Sequence, residues 1–184
     1  MTNAEVLSTI DKYLVLYPSE REDLSLLVSQ LERDETMNNR SNFNGHVTAS
    51  AIVLSPDKTE VLLIHHRAFD RWQQPGGHWD PDEDSPLEAA EREAIEETGV
   101  DINMYIPADE KFPLVPLSIN SHYIPPSQSK GEPEHYHHDF RYVFLATSTK
   151  LAHQEAEVDA AEWFAFDTPE AAFVKTEIDR LKLN

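Results

Sequence analysis

The sequence contains no cysteine, which removes disulfides, thiolate metal sites and cysteine nucleophiles together. Positive charge is scarce as well. Against 34 Asp and Glu stand only 15 Lys and Arg, for a formal net charge of −19. A surface of that sign repels a polyanion at long range, so nucleic acid is disfavoured as a partner. No run of about 18 apolar residues occurs, so no membrane span is expected. The opening MTNAEVLSTIDKY lacks the basic start and apolar stretch of a secretory signal, and the expected location is cytoplasmic.

What is present suits a globular protein. At 184 residues and 40% apolar composition the chain can bury one proper core. Most of its carboxylates serve solubility. A small phosphorylated ligand is still compatible with the acidity if a bound cation supplies the missing positive charge.

Residues 2–16 carry Val6, Leu7, Ile10, Leu14 and Val15 at helical spacing. After Pro18, Ser19 with Glu22 reads as a capping box for a second helix over about 20–34. The polar stretch ETMNNRSNFNG ends this part, so residues 1–45 are expected to be a helical extension and residues 46–184 the main domain. From His46 the pattern becomes β-rich. HVTASAIVL and EVLLIHH flank the turn SPDKT and suggest a hairpin. Further strands are expected within 113–124, at FRYVFLAT and at EWFAF. Thr168-Pro169-Glu170 should open a C-terminal helix with Thr168 as cap. This order implies an α/β sandwich with a mixed sheet.

One helix stands out. In GGHWDPDEDSPLEAAEREAIEETGV, residues 76–100, Ser85 caps, Pro86 takes the first helical position and Gly99 stops the helix. Leu87, Ala90 and Ala94 share the core side, while Glu93, Glu96 and Glu97 fall on a neighbouring stripe. Arg92 is spaced to brace Glu88 and Glu96. Three carboxylates near a helix C-terminus repel one another and oppose the helix dipole. A hard divalent cation reverses that sign, and oxygen ligands suit Mg²⁺.

The segment resembles the Nudix box, G-x5-E-x7-R-E-U-x-E-E-x-G-U, where U is aliphatic. Arg92 to Val100 match its second half, with Ala94 a small occupant of the first U position. In the first half, counted from Gly77, Glu83 falls at the acidic position but eight residues then precede Arg92, so Glu83 and Asp84 both remain open. The resemblance spans roughly residues 46–168. It implies the Nudix α/β/α sandwich and metal-dependent hydrolysis of a nucleoside diphosphate linked to another moiety, such as a nucleotide sugar, ADP-ribose or a related nucleotide. It further implies that Glu93, Glu96 and Glu97, with the Gly77 carbonyl, hold Mg²⁺ (Mn²⁺ as a substitute). Arg92, Glu96 and Glu97 then belong to the catalytic set. The proton acceptor is Glu157, Glu155 or a box glutamate, with Glu157 better placed relative to the later tryptophan. The expected partner is a small nucleotide-type substrate, and a homodimer is compatible.

Substrate-binding candidates lie outside the helix. His135, His137, Asp139 and Arg141 alternate in HYHHDFR and should face one side of a strand together. Four polar residues are unwelcome in a core, so that face should line the cleft, with Asp139 orienting a histidine or pairing with Arg141. Zinc on His135 and His137 is an unfavoured reading, because isolated histidine pairs on strands are more often polar pocket or surface residues. His78 and the His65-His66 pair can also line the cleft, and Trp72 can stack on a base. Arg67, Arg71 and Arg141 are the candidate phosphate partners, since a planar guanidinium fits an oxyanion. Isopentenyl diphosphate isomerases share the superfamily but use a cysteine, and none exists here, so that branch is discounted. A catalytically silent ligand-binding or regulatory module is the alternative, disfavoured by the intact REAIEE core.

Overall fold

The computed structural model describes residues 1–67, 69–128, 131–152 and 158–181. Helix α1 (Asn3–Leu16) opens on a capping box: the Thr2 hydroxyl accepts from the Glu5 N–H, and Glu5 accepts from the Thr2 N–H at 2.7 Å. The second helix departs from expectation. Pro18–Glu20 is a 3₁₀ turn, and α2 runs only from Ser25 to Glu32, with no side-chain cap on either. The physical reason lies in Glu20, whose carboxylate accepts from the Tyr13 hydroxyl and from Arg180 at 2.9 Å. That engagement holds the Glu20 end of the segment in a turn, so Ser19 starts no helix.

The eight strands are β1 (His46–Leu54), β2 (Glu60–His66), β3 (Arg71–Gln73), β4 (Gly76–His78), β5 (Ile102–Ile106), β6 (Ser118–Ile124), β7 (His135–Ala146) and β8 (Val158–Ala165). They form one mixed sheet. The expected hairpin exists, but β1 and β2 meet only at Leu54↔Val61 beside their turn. Along its length β1 pairs in parallel with β7, from His46↔His137 to Leu54↔Leu145, and its opposite edge takes β4 at Thr48 to Ser50. Strand β2 instead pairs with β8 and β3, while β6 and β5 share the far edge of β7. Strand β5 had no counterpart in the sequence reading. It is an edge strand with two of its five residues exposed, so it lacks the apolar alternation of a half-buried strand.

Helix α3 (Pro86–Thr98) covers one face and α4 (Ala172–Ile178) part of the other. Ahead of α4, Pro169–Ala171 is a 3₁₀ turn, and the Thr168 hydroxyl donates to the Ala165 carbonyl instead of capping. The two faces of β1 and β7 are unequal. Val47, Ala49, Ala51 and Val53 join Phe140, Tyr142 and Phe144 under α1, α2 and α3. On the other face Ile52, Leu54 and Val143 pack against Val174, Ile178 and Leu181. The residues preceding them on that face are polar: His46, Thr48 and Ser50 on β1, and His135, His137, Asp139 and Arg141 on β7. Along that face, then, the strands run from an apolar half packed with α4 into a polar half.

Residues 1–45 do not lie apart from this core. Val6, Ile10, Tyr13, Leu14, Leu24, Leu27 and Leu31 share one buried cluster with β1, α3 and β7. The Tyr13 hydroxyl accepts from the Ile119 N–H, and the Gln30 side chain bonds His138 Nε2 at 2.8 Å. Each such apolar side chain contributes about 1.5–3 kcal/mol, so seven together rival the whole stability of a typical domain, about 5–15 kcal/mol. A chain lacking residues 1–35 is therefore expected to lose cooperative unfolding and to aggregate. Circular dichroism melting of that truncation checks it. No helix among the described residues is long and apolar enough to cross a membrane.

Candidate active site

The local sequence of α3 sets up the site. The Ser85 hydroxyl accepts from the Glu88 N–H, Pro86 sits at the first turn, and Gly99 ends the helix at φ 64°, its N–H bonding the Ile95 carbonyl at 2.8 Å. Leu87, Ala90 and Ala94 pack on the core, which leaves the glutamate stripe beside the β4 turn. Glu93 is pressed against Gly77: a Cβ there would lie 2.2 Å from Glu93 Oε1. Glu97 is nearly buried and accepts from the Gly76 N–H at 2.9 Å.

Arg92 is the hub. Its Nε donates to Glu83 at 2.7 Å, one terminal nitrogen donates to Glu93 at 2.9 Å and Glu96 at 3.0 Å, and the other reaches the His78 carbonyl at 3.0 Å. The hydrogen bond to Glu83 leads in raising the Arg92 pKa; burial opposes it, but the charge of Glu93 and the hydrogen bonds to Glu93 and Glu96 add to the rise. Glu83, not Asp84, is thus the carboxylate that meets Arg92. The expected partner Glu88 instead accepts from the Asp84 N–H at 2.7 Å.

These groups form one wall of a cavity of about 1370 Å³ lined by Gly77, His78, Glu93, Glu96 and Glu97. The polar half of the sheet forms another wall, and His135, His137, Asp139 and Arg141 all lie on it. Asp139 accepts from Ser50 at 2.7 Å and from Arg141 at 2.8 Å. Of its two anticipated roles it takes the pairing with Arg141. Arg141 also donates to Glu177 of α4. Burial works against the Arg141 charge, yet Asp139 and Glu177 more than offset it and its pKa rises. The guanidinium is therefore committed to two carboxylates.

Trp72 lines the cavity with its ring edge-on to Phe164 at 4.7 Å, so part of it is packing. His66 lines the cavity as well. Arg67 does not: its side chain is about half exposed and donates to Asp159 at 2.7 Å, outside the cavity wall. Its neighbour Arg71 is in the lining, standing over the Phe69 ring at 5.4 Å. Glu155 and Glu157 lie outside the described residues.

Sequence reasoning missed Arg40, Phe69, His122 and Phe173, which line the cavity, and the buried His46. A signal existed for His46. In HVTASAIVL the residues at 46, 48 and 50 are polar and those at 52 and 54 apolar, the same half-polar face seen on β7.

The oxygen donors Glu93, Glu96 and Glu97, next to a glycine backbone that admits a carboxylate at contact distance, fit a hard divalent cation. The two glycines separate fold from site. A Cβ on Gly76 would lie 2.6 Å from the Ala49 backbone oxygen, whereas on Gly77 its three nearest atoms all belong to the movable Glu93 carboxylate. Gly76→Ala is expected to lower the melting temperature by several degrees. Gly77→Ala should leave melting near wild type and, if Glu93 serves turnover, reduce it about 10-fold or more, the usual scale for disturbing the groups that orient such a carboxylate. Thermal melts beside initial rates check the contrast.

Consistent with this fold and this wall of carboxylates, residues 45–181 match the NUDIX domain, and the chain belongs to that family. It is a Nudix hydrolase. A probable DHNTP pyrophosphohydrolase of Lactococcus lactis subsp. cremoris (strain MG1363) is 31% identical over 170 residues, 92% of each chain. With that coverage, the match reaches into the helices ahead of residue 45. The m7GpppN-mRNA hydrolase NUDT17 of Bos taurus is 30% identical over 69% of this chain, which spans only 43% of that protein. Among solved structures, a NUDIX-family hydrolase from Clostridium perfringens superposes with a TM-score of 0.56 at 24% identity, covering 74% of this chain and 98% of that one. The E. coli dihydroneopterin triphosphate pyrophosphohydrolase gives 0.55 at 18% identity, covering 73% and 92%. These two likenesses establish the fold.

Proposed function

We propose that this chain hydrolyses a phosphoanhydride bond in a small nucleotide-like substrate, using Mg²⁺ (or Mn²⁺) on Glu93, Glu96 and Glu97 with the Gly77 carbonyl. The observation that carries the reading is one wall: three box carboxylates, two held by Arg92 and the third by the Gly76 N–H, border a cavity large enough for a nucleotide. A bound dication there supplies charge neutralisation of the phosphates and acidification of an attacking water. The chain's own residues do the rest. Arg92 holds Glu93 and Glu96 in register, and the Gly76 N–H fixes Glu97. Arg71 gives the cavity positive charge for phosphate, Arg40 being paired with Glu132 at 3.1 Å, and Trp72 and Phe69 offer ring surface to a heterocycle. His137 is pushed down to about 2 by burial and by the surrounding imidazoles, so it meets substrate as a neutral hydrogen-bonding group. The proton acceptor is assigned to Glu157, Glu155 or a box glutamate, as the family resemblance implies.

For the substrate, the full-length similarity to the L. lactis protein supports a heterocyclic triphosphate of the dihydroneopterin kind as the first compound to test. Nucleoside triphosphates, ADP-ribose and nucleotide sugars follow. Capped RNA ranks last: the mammalian relative is a longer protein, and a net charge of −19 repels a polyanion. The test is a panel of these compounds with Mg²⁺ or Mn²⁺, both products identified by mass spectrometry. Metal-dependent cleavage of a phosphoanhydride in one class is the expected result. Tight binding of a compound without cleavage would instead support the silent ligand-binding module.

A further inference from the structure

Among the described residues, the group of three potential metal donors whose ligand atoms lie within 4.8 Å of one another is not in the box. It is His46, His135 and His137. Parallel pairing sets His46 directly opposite His137, and the two-residue period puts His135 on the same face. Their rings cluster: His46 lies 4.7 Å from His137 and 5.1 Å from His135, centroid to centroid.

The hydrogen bonds fix which nitrogens are available. His46 Nδ1 sits 3.2 Å from the Asn42 carbonyl, and His135 Nδ1 sits 2.8 Å from the Pro133 carbonyl. A carbonyl only accepts, so both Nδ1 atoms carry the proton and both Nε2 atoms present lone pairs. This is the arrangement by which a backbone carbonyl sets the tautomer of a metal-binding histidine. His135 Nε2 therefore accepts from the Nε2–H of His137 at 3.1 Å, a proton that ligation through this nitrogen would shift to His137 Nδ1. His46 is 1% exposed, and its Nε2 is buried with no hydrogen-bond partner among the described residues. A buried imidazole lone pair without a partner is costly in an otherwise satisfied interior.

We propose that His46, His135 and His137 form a three-imidazole site for a zinc-class divalent transition-metal ion, separate from the oxygen-donor site of the box. Nitrogen ligands at about 2.0–2.1 Å in a tetrahedron stand roughly 3.4 Å apart. The His135–His137 pair is already near that spacing, and small movements of His46 complete it. Donor chemistry separates the two sites, because imidazole favours zinc-class ions whereas carboxylate and carbonyl oxygens favour Mg²⁺. Three protein ligands leave a fourth position, which opens on the cavity that His135 and His137 line. There it would meet the part of the substrate remote from the box and act on substrate selection. An isolated histidine pair made zinc an unfavoured reading of HYHHDFR; the third imidazole, brought by β1, changes it.

The test needs no substrate. Metal-stripped protein is titrated with Co²⁺ in millimolar Mg²⁺, and a parallel sample loaded with Zn²⁺ in the same Mg²⁺ is dialysed and its bound zinc counted by elemental analysis. The expected result is one ion per chain with the visible absorption of four-coordinate Co²⁺, unchanged in Glu97→Gln and lost in His46→Ala. His137→Gln is the second variant, should His46→Ala not fold. Zinc-edge X-ray absorption of the wild type should show three imidazoles. The proposal is overturned if the wild type retains no stoichiometric ion in Mg²⁺, if Glu97→Gln loses it, or if fewer than three imidazoles bind. A negative result here leaves the box hydrolase reading untouched, because every arm reads nitrogen ligation and none reads turnover.

Discussion

Glu97→Gln lowers turnover by about 100-fold or more at saturating Mg²⁺ while the protein melts at or slightly above the wild-type temperature. The two halves of this expectation come from one residue. Glu97 is nearly buried beside two other carboxylates and close to the C-terminus of α3, where the dipole is unfavourable to negative charge. Replacing it by an amide removes repulsion and keeps an acceptor for the Gly76 N–H, which now bonds the carboxylate at 2.9 Å. The contact with Gly76 is therefore kept. A neutral amide is a poor ligand for a hard dication, however, and the charge neutralisation of the phosphates goes with it. Initial rates across a Mg²⁺ titration, read beside thermal melts, check both halves.

Arg92→Lys is expected to cost nearly as much as Arg92→Ala, about 10–100-fold in turnover, the usual scale for losing partners that orient metal ligands. The reason is geometric. One guanidinium reaches Glu83, Glu93, Glu96 and the His78 carbonyl in four directions. A lysine ammonium is a point charge and cannot hold that fork. Both variants should also need more Mg²⁺ for half-maximal rate, because Glu93 and Glu96 are no longer held in place. A Lys variant with wild-type turnover and Mg²⁺ requirement would assign Arg92 a purely electrostatic part.

The box was legible because its signals are local. Ser85, Pro86 and Gly99 delimit a helix by short-range chemistry, and a period of 3.6 residues then places Glu93, Glu96 and Glu97 on one stripe. The same holds for β7, where a period of two put His135, His137, Asp139 and Arg141 on one face. What failed depended on partners far away in sequence. Ser19 and Glu22 have the spacing of a capping box, yet Tyr13 and Arg180 claim the adjacent Glu20 and the helix starts later. Arg92 has the spacing for Glu88 but meets Glu83 across the box turn, which also selects Glu83 over Asp84. Arg67 looked as available as Arg71 until Asp159, on a strand about ninety residues later, took it. His46 could not be joined to His137 without knowing that β1 and β7 run parallel. No turn or spacing announces a long-range parallel pair.

The central claim is that α3 cleaves a phosphoanhydride through carboxylate-held metal. It is tested most directly by following product formation from the best compound of the panel in wild type and Glu97→Gln, each with Mg²⁺ and with chelator. The account predicts rapid Mg²⁺-dependent cleavage in the wild type, none with chelator, and a residual rate of about 1% or less in the variant. Equal rates in wild type and variant, or cleavage that survives chelation, would contradict it.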